Sequence, residues 1–290
     1  MDPRIIHLYD EYTHAPLDRR VFLERLSVLA GGTAAATALL PVLENNYARA
    51  AIVDPADSRL NISTVTYKGH TGDIKAYLAT PKAGPARRPG VIVINENRGL
   101  NPHIEDVTRR VAIEGFTALG LDLLSPLGGT PKDEDQAREM IGKTDRMDAA
   151  RNAQAAIAYL KSRSEATGPV GVTGFCWGGG MSNLLATIAP DLAAAAPYYG
   201  PVAPAAEVPK IKARLQLHYA GNDPRINEGL PGYEAALKAA GVQYELFVYD
   251  GAEHAFNNDT NAARYHKPTA DLAWSRTIAF FKQTLGAGRA

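Results

Sequence analysis

Six short, nearly continuous apolar runs recur along the chain: "VIVIN", "FTALGLD", "VGVTG", "LAAAAPYYG", "RLQLHYA" and "YELFVY". Most are separated by stretches of helical length, and this spacing constrains the fold more than any other feature. Runs this apolar belong to strands buried on both faces. The intervening segments carry the helical period. Ile104, Val107, Val111 and Ala112 share one face before Gly115, and Ala149, Ala153, Ala156, Ile157 and Leu160 share another over residues 145–163. "WGGGMSNLLATIA", "GYEAALKAAG" and a final stretch over about residues 262–285 read as further helices. Strands alternating with such helices build a mostly parallel central sheet with helices on both faces. Ahead of them, "ISTVTYKGHTGDIKAYLATP" alternates around a Gly-rich turn, which predicts an antiparallel hairpin at one edge of the sheet.

One α/β domain from about residue 55 to 290 accounts for this pattern, and residues 1–50 are different in kind. Arg19 and Arg20 followed by Phe22 and Leu23 resemble a twin-arginine export signal, and Ala48-Arg49-Ala50 offers a small-x-small cleavage site. The expectation is a removable leader and a periplasmic protein. The alternative is a cytoplasmic protein whose N-terminal helix stays packed on the body. The stretch from Leu26 to Leu43 is too rich in Ala, Gly and Thr for a stable membrane span. Lys plus Arg and Asp plus Glu both number 31, so no basic surplus points to nucleic acid. A single cysteine excludes an internal disulfide.

In open parallel sheets ligands bind beyond the carboxyl ends of the strands. The residues just past those ends are Asn95-Glu96-Asn97, Asp122, Cys176, Asn222-Asp223 and Glu253-His254. Cys176 lies in "GFCWGGG", where Gly174 and Gly178 stand two positions to either side, as a sharp strand-to-helix turn requires of a nucleophile. A helix starting directly after it favours a thiolate, and the N–H of Trp177 points toward an oxyanion. Cys176, Asp223 and His254 follow in the order nucleophile, acid, base. In that arrangement His254 takes the thiol proton and Asp223 fixes the imidazole.

"NENRG", "GFCWGG", "PYYG", "YAGND" and "GAEHAF" together resemble the dienelactone hydrolase (carboxymethylenebutenolidase-like) family of α/β-hydrolases over about residues 60–285. The resemblance implies the α/β-hydrolase fold, no cofactor, and a small-molecule ester or lactone cleaved through a thioester. It also implies that Glu96 gates the resting thiol and that the N–H of Asn97 completes the oxyanion hole. The arginines that hold a substrate carboxylate in that family are not in place here: "HAFNND" puts Asn257, Asn258 and Asp259 after the histidine. Arg98 or Arg225 would have to substitute, and Tyr198 or Tyr199 could line the pocket. His7, His14, His70, His103, His218 and His266 show no ligand spacing, so no metal is expected. A non-catalytic binding protein on the same fold is the alternative reading.

Overall fold

Each apolar run forms a strand because its two sets of alternating side chains enter two different cores. In the computed structural model, which describes residues 1–15, 17–47 and 51–286, β3 (Arg88–Ile94) sends Ile92 and Ile94 into one core and Val91 and Val93 into the other. The first core is closed by α6 (Arg146–Ser162), α7 (Trp177–Ile188) and α9 (Leu230–Ala239). The second is closed by α4 (Pro102–Ile113) and α10 (Lys267–Leu285). Helices therefore cover both faces, as the sequence pattern predicts.

The sheet has eight strands. The hairpin strands β1 (Leu60–Lys68) and β2 (Asp73–Pro81) lead in, followed across the sheet by β4 (Thr117–Leu121), β3, β5 (Ala166–Phe175), β6 (Ala194–Tyr198), β7 (Arg214–Asn222) and β8 (Tyr244–Glu253). The β1–β2 and β2–β4 pairs are antiparallel. From β4 to β8 every pair is parallel. All the strand ends that matter therefore point to one edge.

The helices differ from the sequence expectation in two places. The last helix begins at Lys267 because Pro268, whose fixed φ suits a first turn, sets its start, and turns occupy much of residues 254–264. An additional helix, α5 (Glu134–Lys143), is capped by Asp133, whose carboxylate accepts from the N–H of Gln136 at 2.8 Å.

The described residues of the first 47 are folded against the body. In α1 (Pro3–His14), Asp2 caps the first turn, and Ile5, Leu8, Tyr9 and Tyr12 form one buried stripe at helical spacing. That stripe packs against Phe22 and Leu26 of α2 (Arg19–Ala30) and Ala36 and Leu43 of α3 (Thr33–Leu43). The result is a small core of its own, with Tyr12 stacked on Phe22 at 4.4 Å between ring centres. Arg19 pairs with Asp135 and Glu44, and Phe22 is buried, so half of the arginine pair and its following aromatic are engaged in the folded protein. The expected cleavage site at Ala48-Arg49-Ala50 lies outside the described residues. Among the described residues no single helix is long and apolar enough to cross a membrane, although α2 and α3 together pass on length and composition as a pair bent by 110°. The short helix α8 (Pro224–Asn227) completes the set.

Candidate active site

Strand register assembles the site. Asn222 of β7 lies opposite Glu253 of β8, so the next residue on each strand, Asp223 and His254, emerges side by side. Their contact is short: His254 Nδ1 lies 2.5 Å from Asp223 Oδ2, with both side chains buried. Two strands away, Phe175 of β5 lies opposite Tyr198 of β6. Cys176 and Tyr199 therefore leave the sheet together.

The turn at Cys176 is as tight as its glycines suggest. Cys176 has φ 55° and ψ −114°, a left-sided backbone that L residues seldom adopt. The strain is held by packing. A Cβ on Gly174 would lie 2.2 Å from the carbonyl oxygen of Gly178, and one on Gly178 would lie 2.3 Å from that of Asn95. The Cys176 N–H donates to the carbonyl of Tyr198 at 3.1 Å, which ties the turn to β6. Trp177 is the first residue of α7, so its N–H has no acceptor within that helix.

The sulfur has a partner that sequence reasoning did not place. His14 Nε2 stands 3.1 Å from Cys176 Sγ. Behind it, His14 Nδ1 faces Asp10 Oδ1 at 3.0 Å and the Asp10 carbonyl at 2.9 Å. The His14 and His254 rings meet edge to face at 4.6 Å. His254 Nε2 is buried without a hydrogen bond among the described residues. Donor atoms of His14, Cys176 and His254 all lie within 4.8 Å of one another. The sequence did carry one local signal: Asp10 and His14 lie one helical turn apart. Nothing local ties them to a cysteine 162 residues later.

Electrostatics follow from these neighbours. Burial alone would push the Cys176 thiol up, but His14 and His254 beside it bring it down to about 6. Burial likewise opposes the His254 imidazolium, while Cys176 and Asp223 raise it to about 10. His14 moves the same way: burial lowers it, and Cys176 and Asp10 more than offset that. Burial works against the Asp10 carboxylate too, yet His14, His254 and Arg264 hold it well below the usual range.

Of the other expected residues, some stand at this centre and some do not. The contact between Glu96 and the resting thiol is not the arrangement found. Glu96 Oε2 instead accepts from Asn258 Nδ2 at 2.7 Å, and His14 takes the position on the sulfur. Asn97 lines the cavity beside the sulfur, and its side chain donates to the Thr13 carbonyl at 2.7 Å, tying the N-terminal helix to the loop after β3. Tyr199 (φ 35°) lines the cavity and edges His254 at 5.1 Å. Tyr198 turns into the core and bonds Thr277 at 2.7 Å. Arg98 does not line that cavity; it is buried, with Nε donating to Glu134 at 3.2 Å. Asp122 organises its own loop by accepting from the Leu124 N–H and from Thr130. Asp259 pairs with His103 and Arg110.

A cavity of about 300 Å³ opens beside the sulfur. Cys176, His254, Tyr199, Trp177, Thr13 and His14 line it, together with Arg138, Arg146 and Arg225.

A family model described as the dienelactone hydrolase family matches residues 74–285. The chain belongs to the dienelactone hydrolase family. A protein of Escherichia coli strain K12 named "Putative carboxymethylenebutenolidase" is 30% identical over 247 residues, covering 80% of this chain and 90% of that one. "Protein usf" of Aquifex pyrophilus is 34% identical over 224 residues, 73% of this chain and 94% of the relative. Among solved structures, one titled as a dienelactone hydrolase-like promiscuous phosphotriesterase from metagenomic libraries superposes with a TM-score of 0.71 at 23% identity. It covers 78% of this chain and 99% of its own. These likenesses support the α/β-hydrolase fold and a hydrolase. The family match begins at residue 74, so His14 and Asp10 come from outside the dienelactone hydrolase region proper.

Proposed function

We propose that the protein hydrolyses an ester or lactone carbonyl through Cys176, His254 and Asp223, by way of a thioester. The observation that carries the reading is the buried Asp223–His254 pair at 2.5 Å beside a cysteine held at a strained strand-to-helix turn. Thiolate Cys176 attacks the carbonyl carbon, and the N–H groups of Trp177 and Asn97 receive the oxyanion. Asp223 fixes the tautomer of His254 and stabilises its imidazolium. His254 gives a proton to the departing oxygen, then takes one from the water that attacks the thioester. Arg138, Arg146 and Arg225 along the cavity wall give the site a cationic side suited to a substrate that carries an anionic group.

The test is turnover of a panel of activated aryl esters and lactones by the wild type and by Cys176→Ala. Hydrolysis by the wild type alone supports the reading. Equal turnover by the two proteins sinks it, and no turnover by either, with slow alkylation of Cys176, favours a binding protein.

A further inference from the structure

The geometry points to His14 as a further catalytic residue: backed by Asp10, it forms a second carboxylate–imidazole pair on the sulfur of Cys176, supplied by the N-terminal helix. The proposal rests on Cys176 being the nucleophile.

The neighbours of His14 Nδ1 at hydrogen-bond distance include the Asp10 carbonyl, the Asp10 carboxylate and the Thr13 hydroxyl, so this nitrogen carries a proton. Nε2 then faces sulfur at 3.1 Å either as a bare acceptor or, in the imidazolium, as a donor. The equivalent nitrogen of His254 faces the same centre, because its Nδ1 is committed to Asp223. One thiol proton cannot serve both imidazoles. Placing a thiolate between two imidazoliums does, and it alternates charge along the row Asp10, His14, Cys176, His254, Asp223. The directions in which the thiol and both histidines are shifted agree with this.

His14 is held in place, not laid loosely over the site. Arg225 and Arg264 reach Asp10 at 3.4 and 3.7 Å, and Arg138 donates to the Tyr12 carbonyl while stacking on its ring at 4.3 Å. Asn97 clasps the Thr13 carbonyl. Other groups around the centre include Asp223, Glu96, Tyr199, Arg138, Arg225 and Arg264. The cavity stays open beside the sulfur with His14 in its wall, so the helix completes the site instead of filling it.

Two steps use this group. At rest, the Nε2–H of His14 stabilises the thiolate that attacks the carbonyl. In deacylation, water adds to the thioester carbonyl and passes its proton to His254. The C–S bond then breaks with its electron pair going to sulfur, and the Nε2–H of His14 receives the thiolate as it leaves. Protons and electrons balance with water as the only co-reactant.

The test compares wild type, His14→Gln, His14→Ala and Asp10→Asn, each with a thermal melt to confirm folding. Glutamine keeps an N–H donor but cannot hold the proton. For an activated aryl ester at pH 6, His14→Gln is expected to lower kcat/KM by about 10–100-fold, the lower range of acid–base contributions. The loss should shrink toward pH 9, where the thiolate forms without help. The rate of Cys176 alkylation by iodoacetamide at pH 6 should fall about fivefold for the first unit the thiol rises above 6 and about tenfold for each further unit. Exogenous imidazole should restore part of the activity of His14→Ala, and Asp10→Asn should give a smaller loss of the same pH form. A pH-independent loss, unchanged kcat/KM, or a gain in activity on removing the imidazole would overturn the proposal. The alkylation readout needs no substrate, so failure of the hydrolase reading is distinguishable from failure of this one.

Discussion

The Asp223–His254 pair and the Asp10–His14 pair meet at one sulfur, yet they are made in opposite ways. The first is fixed by sheet register: two adjacent parallel strands end side by side, and their next residues touch. The second rides on a single helix, with acid and base one turn apart, and reaches the site only because that helix docks through its own aromatic stripe and a set of arginines. A pair built into the sheet cannot be lost without unfolding the core. A pair delivered by a docked helix can be lost by removing that segment while the sheet remains. The contrast separates the chemistry the fold guarantees from the chemistry this chain adds.

The largest effect should come from the shared atom. Cys176→Ala is expected to reduce kcat by roughly 10⁴–10⁶-fold, as loss of a nucleophile does when its partners act as a unit. Asp223→Asn should follow, with a loss of about 10³–10⁴-fold from a misoriented imidazole and no change in fold by circular dichroism. If His14→Gln matched Asp223→Asn in size, the two pairs would be equals. The account instead ranks His14 well below, because His254 alone handles the protons of substrate and water.

The wild-type pH profile sharpens the same comparison. The thiol shifted down to about 6 and the imidazole shifted up to about 10 place the Cys176 thiolate and His254 imidazolium together between those limits. Activity should rise as pH passes the lower value, where the thiol ionises, and fall above the upper value, where the imidazolium is lost. Glu96→Gln should have the smallest effect. Its carboxylate accepts from Asn258 and not from the thiol, so kcat/KM should change by no more than about fivefold, roughly 1 kcal/mol. A loss comparable to that of His14→Gln would return Glu96 to the gating role.

Much of the first pair was legible in the sequence. Strand cores written as unbroken apolar runs, glycines on either side of Cys176, and an acid and a histidine each following a strand are local patterns, and local patterns survive without coordinates. Helix α10 was placed too early because the apolar positions before Lys267 belong to turns, and Pro268 was the better marker of its start. Arg98 is a candidate substrate ligand in the sequence only as a substitute for the arginines missing after His254; its pairing with Glu134 is a tertiary fact. His14 was missed for the same physical reason. An export-like arginine pair follows its helix, at the start of α2, and the sulfur it meets is far away in the chain. Under the present account, active protein isolated from intact cells keeps residues 10 and 14, and N-terminal sequencing checks this directly.

The central claim is a thiolate held between two imidazoliums. Its most direct test is a pH titration of Cys176 alkylation in wild type, His14→Gln and His254→Gln. The account predicts a wild-type midpoint near 6 that moves upward in each single variant and further in the double variant. A wild-type midpoint at the value of an ordinary free thiol, about 8.5, or one that His14→Gln leaves in place, would contradict it.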